Sequence, residues 1–112
     1  MTKRAGADGE PGPETGLSQG VVLDIGGDIG ALVVHTTEAL LGREVEVSPA
    51  GAATQRVHAV VHQRYAGGRQ LFAAVFPALA QDGYLLWDGE RTLGRVQITG
   101  GQVTEVAWPA PG

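Results

Sequence analysis

The chain has 112 residues, 43% of them hydrophobic and only 5% aromatic, with a net charge of −4. This describes one globular domain with a mostly aliphatic core. The acidity argues against the basic face of a nucleic-acid binder and against polybasic docking on a membrane. The absence of cysteine excludes a disulfide framework, a thiolate metal site and a cysteine nucleophile.

Residues Met1 to Gly20 hold Gly, Pro, Asp, Glu, Thr and Ser with almost nothing apolar, and read as a flexible tail. They contain no apolar stretch of the signal-peptide kind, so a cytoplasmic protein is expected. Residues 21–108 read as the single domain, and Pro109-Ala110-Pro111-Gly112 as a short second tail.

Three Gly-Gly pairs punctuate the domain, Gly26-Gly27, Gly67-Gly68 and Gly100-Gly101, each between two apolar runs. Glycine reaches positive φ freely, as the primed turns of hairpins require, so three hairpins are predicted. The first joins Val21–Ile25 to Ile29–His35, two runs apolar on both parities, as strands buried on both sides would be. Thr37 to Leu41 then offers one helical turn. Arg43–Val47 alternates, with Val45 and Val47 on one face and Glu44 and Glu46 on the other.

Arg56–Arg64 reads as one long strand. Val57, Ala59 and Val61 share a face; Arg56, His58, Val60, His62 and Arg64 share the opposite one. That second face is predicted to lie against Glu44 and Glu46 as cross-strand pairs. Gln70–Phe76 follows the second Gly-Gly and is predicted to stop at Pro77, which cannot donate to a ladder. Tyr84–Trp87, Leu93–Thr99 and Gln102–Trp108 complete the set, with Val96 and Ile98 pointing in and Arg95 and Gln97 out. Trp87 and Trp108 are expected to cap the core. Short strands at this spacing predict a small antiparallel β-sandwich of about seven or eight strands.

The last third carries Leu79-Ala80-Gln81-Asp82-Gly83-Tyr84-Leu85-Leu86, then Val96-Gln97-Ile98-Thr99-Gly100-Gly101-Gln102-Val103-Thr104-Glu105-Val106. Residues 70–108 thereby resemble the end of prealbumin-like sandwiches, such as carboxypeptidase regulatory-like and collagen-binding B-type domains. The resemblance implies a sandwich fold and no particular activity. Gly83 departs from the pattern by standing directly before Tyr84. The chain as a whole resembles short actinobacterial proteins.

Two segments invite a chemical reading. Val21 to Gly30, with Asp24-Ile25-Gly26-Gly27-Asp28, resembles the first motif of Rossmann-like methyltransferases and the phosphate turn of actin-like sugar kinases. Nucleotide or S-adenosylmethionine binding at the Asp24–Asp28 turn is therefore one alternative. Asp28 opposes it, placing a carboxylate where backbone should approach the cofactor, and no helix signal follows. Ahead of it stands the first alternative, a metal-binding protein or metal-dependent enzyme using His35, His58 and His62 with carboxylates such as Asp24 and Asp28. His58 and His62 are four apart, which on one strand separates them by ~13 Å, so they would not share an ion.

The leading expectation is a non-enzymatic binding or structural module with no cofactor. A protein partner or self-association is expected too, because strands apolar on both faces need covering.

Overall fold

The computed structural model describes residues 22–108. Eight strands form two four-stranded sheets: β1 (Ile29–His35), β2 (Glu44–Pro49), β3 (Val57–Val60), β4 (His62–Ala66), β5 (Arg69–Ala80), β6 (Asp82–Asp88), β7 (Arg91–Ile98) and β8 (Val103–Ala107). The first sheet has the order β4-β5-β1-β8 and the second β3-β2-β6-β7. The expected all-β sandwich is therefore present, with one parallel pairing, β1 with β8, among antiparallel ones. The helical turn after β1 is a 3-10 turn at Glu38–Leu40. No helix among the described residues is long and apolar enough to cross a membrane. Both predicted tails lie outside the described residues, as does Val21 at the domain edge.

Between the sheets lies one aliphatic core of Leu32, Val34, Val45, Val47, Val61, Phe76, Leu86, Val96 and Ile98, with Tyr84 and Leu79. Phe76 and Leu32 are among its largest fully buried side chains. Burying each contributes about 1.5–3 kcal/mol relative to exposure. Trp108 packs on this core at its edge, as expected. Strand β1 is also apolar on its outer side. There Val33, Ala73 and Val75 form a second cluster on which Leu23 and Val103 pack, so Leu23 supplies part of the cover this face needs.

The three Gly-Gly pairs serve different purposes. Gly67 and Gly68 have φ of 60° and 78°, and the flanking Ala66 and Arg69 pair directly, so this is the predicted hairpin in a primed turn. Gly26-Gly27 turns the chain as well, with reciprocal backbone bonds between Gly26 and Ile29, both 2.9 Å. The run before it is not a strand, contrary to expectation: Val22 is 88% exposed, and Asp24 donates one backbone bond to the carbonyl of Pro77. Gly100-Gly101 makes no hairpin. It carries the chain from β7 in one sheet to β8 in the other, where β8 runs parallel to β1.

Gly100 is needed there for room. A Cβ on it would collide with the carbonyl oxygen of Gly27 and come within 2.9 Å of the Asp28 α-carbon. The junction is tied by backbone bonds from Gly101 to Ile29 (2.9 Å) and from Gln81 to Asp28 (2.7 Å). The Gln81 side chain accepts from the Gly100 amide at 2.8 Å.

Two strand predictions need correction. Arg56–Arg64 is not one strand: it breaks at Val61, a fully buried residue, and β3 and β4 belong to different sheets. A strand can swap sheets at a corner when the residue at the bend still fills the core. Arg64 consequently leaves the shared polar face, becoming buried with its Nε donating to the Ala73 carbonyl at 3.1 Å. The second correction is Pro77, which does not end its strand. β5 continues to Ala80, and Pro77 and Ala78 stand opposite the single residue Ala31 in a bulge. A bulge is one of the few places a sheet tolerates a residue without an N–H.

Candidate functional site

The outer face of the second sheet gathers the polar side chains of β2, β3 and β6. Antiparallel pairing of β2 with β3 sets Glu46 directly opposite His58 and Glu44 opposite Val60. Pairing of β2 with β6 sets Trp87 against Glu46 on the other side. Alternation then decides the faces. Val45, Val47 and Leu86 enter the core, so Glu44, Glu46 and Trp87 must point outward. Trp87 is thus not a core cap, as the sequence suggested. Its indole N–H donates to Ser48 Oγ at 2.9 Å, and Ser48 is fully buried.

Arg56, just before β3, organises this face. Its guanidinium lies 3.8 Å from the centre of the Trp87 ring. Its Nη1 donates to Glu46 Oε1 at 2.7 Å and to the Gly89 carbonyl at 2.6 Å, while Nη2 is 3.7 Å from the Glu90 carboxylate. Planar stacking combined with a fork of donors is chemistry that arginine supplies and lysine does not. The turn carrying Gly89 and Glu90 joins β6 to β7, with Gly89 at φ 63°. Together with Arg43 and Glu44 these groups line a polar concavity of about 370 Å³.

Beside it, His58 Nε2 is 4.0 Å from Glu44 Oε2. One ligand atom from each of Glu44, Glu46 and His58 lies within 4.8 Å of the others. The predicted cross-strand pairing of the basic stripe with Glu44 and Glu46 is therefore present for Arg56 and His58.

The histidines are not brought together. His35 sits on the outer face of the first sheet, its Nε2 2.7 Å from Glu105 Oε1 on the neighbouring β8. His62 lies on the same sheet in the same row. Both are paired across from Ala73, one from each side, which sets their backbones about 9–10 Å apart. His58 belongs to the other sheet altogether. Asp24 and Asp28 are exposed beside the first glycine turn. The Asp28 carbonyl and the Gly27 backbone face Gln81 and Gly100, and strand β1 rather than a helix follows the turn.

Of the predicted stripe Arg56, His58, Val60, His62 and Arg64, only the part up to Val60 lies on this sheet with Glu44 and Glu46, and Trp87 and Glu90 join the face without a signal in the sequence. In Leu85-Leu86-Trp87 three consecutive apolar residues give no parity, so nothing local says that Trp87 faces out. Glu90 enters only through the hairpin turn. Compared with known proteins, the chain matches no family model, no curated protein and no solved structure.

Proposed function

We propose that this protein is a cytoplasmic, non-enzymatic binding module that takes its ligand on the outer face of the second sheet. The observation that carries the reading is the convergence of Arg56, Glu46, Glu90 and Trp87 on one concavity. A ring stacked under a guanidinium, with carboxylates of the opposite sign beside it, offers pre-positioned contacts for a polar partner of mixed charge. The one described serine on this face, Ser48, is buried and its oxygen is engaged by the Trp87 indole, which suits a structural part better than a nucleophile. The resemblance of residues 70–108 to prealbumin-like sandwiches fits a scaffold of this kind and leaves the ligand open.

Tryptophan fluorescence tests the reading. The chain has two tryptophans, so Trp108→Phe leaves Trp87 as the sole reporter. Titration with amino acids and dipeptides of both charges should give a saturable change in Trp87 emission, with each probe recovered unchanged. No response across the set, or chemical conversion of a probe, would count against a binding module on this face.

A further inference from the structure

We infer that Glu44, Glu46 and His58 form a site for a divalent transition-metal ion, for which zinc is the probe. The inference deepens the proposed binding face by naming a ligand for one edge of it, and rests on that reading.

Two carboxylates and an imidazole are hard-to-borderline ligands suited to zinc, manganese or iron; calcium and magnesium prefer oxygen alone. Their positions follow from the pleat. Glu44 and Glu46 are two apart on β2 and share its outer face, and His58 stands opposite Glu46 on β3. The mutual limit of 4.8 Å between ligand atoms is close to what an ion needs. Ligands about 2.0–2.2 Å from a tetrahedral ion lie roughly 3.4 Å from one another. The difference is within reach of side-chain rotation, because His58 and Glu44 are more than half exposed, at 60% and 54%.

Arg56 sits in this arrangement as the group that orients a ligand. It engages Oε1 of Glu46, which leaves Oε2 for an ion. Hydrogen-bonded ligating carboxylates are a regular feature of metal sites. Glu44 and Glu46 carry the charge that offsets a divalent ion, and the Glu90 carboxylate lies 3.7 Å from Arg56. Three protein ligands leave a position open toward the concavity, where a donor atom from a partner can complete the coordination.

Calorimetric titration of the untagged full chain with zinc tests the site. The wild type should bind one zinc per chain. His58→Ala and, separately, Glu44→Gln should each weaken binding at least about 10-fold, while His35→Ala and His62→Ala leave it unchanged. Both site changes lie on exposed side chains, and an unchanged amide NMR spectrum checks that each variant folds. Wild-type affinity in His58→Ala, loss in His35→Ala or His62→Ala, or no binding at millimolar zinc overturns the inference. In the last case a metal-free dipeptide response at Trp87 leaves the binding face standing, and its absence removes both.

Discussion

The α-carbon of Gly100 rests against the carbonyl of Gly27, so the first and third glycine pairs of the sequence meet at one end of the sandwich. The contact joins the turn before β1 to the crossover between β7 and β8. It fixes where β8 lands, and β8 then pairs parallel to β1. Substitution at this contact should be far more damaging than at a glycine that merely needs positive φ. Gly100→Ala must displace backbone on the Gly27 side and is expected to cost about 2–3 kcal/mol. Gly67→Asn, in the open hairpin turn at φ 60°, should cost under about 1 kcal/mol, since Asn tolerates the left-handed region. Urea denaturation of the two variants ranks them; the reverse order would mean that the junction is not tightly packed.

Arg56→Ala removes a stacked cation, a charge pair with Glu46 and a bond to the Gly89 carbonyl at once. The guanidinium is partly exposed, so solvent screening moderates the loss to about 1–2 kcal/mol. Arg56→Lys should recover less than half of it, because an ammonium cannot stack and bridge together. Thermal unfolding of both variants, with Trp87 emission followed alongside, measures this. Full recovery by lysine would show that only net charge matters there.

Tyr84 gives a pH dependence. Its hydroxyl donates to the Ala80 carbonyl at 2.7 Å, where β5 passes into β6. Burial, with the Asp82 carboxylate adding to it, holds the phenol's pKa above its ordinary value. The folded state therefore keeps this proton more tightly than the unfolded chain does. The stabilisation is fully present below about pH 10, the ordinary tyrosine value, and is lost as pH rises through the folded value. Tyr84→Phe should cost about 1 kcal/mol at neutral pH through the lost hydrogen bond. It should also flatten the fall of stability above pH 10. An unchanged alkaline slope in the variant would assign that fall to other groups.

Much of this architecture was legible because two signals act locally. Alternation of Glu44, Val45, Glu46 and Val47 sets the buried face of β2. The primed turn at Gly67-Gly68 needs positive φ at both centres, which glycine announces. Other features depend on distant partners. Gly100 is demanded by the Gly27 carbonyl, which lies over 70 positions away in the chain, and the residue looks the same as a turn glycine. The crossover at Val61 carries no glycine or proline, since Val60 and Val61 are both apolar and serve either sheet. Pro77 reads as a stop unless the bulge opposite Ala31 is known. At the candidate site, opposite charges at matching parity pointed to the stripe from Arg56 to Arg64 lying against Glu44 and Glu46; this holds for Arg56 and His58, while His62 and Arg64 pass to the other sheet. Trp87 stayed hidden because its neighbours are apolar on both parities.

The central claim, a ligand face on the outside of the second sheet, is tested most directly by mapping amide and indole NMR shifts of the full chain during titration with mixed-charge dipeptides. Saturable shifts should gather at Glu44, Glu46, Arg56, Gly89 and Glu90 and at the Trp87 indole, while Val33, Ala73 and Val75 on the opposite outer face stay still. Shifts concentrated on that opposite face, or around His35 and Glu105, would contradict it.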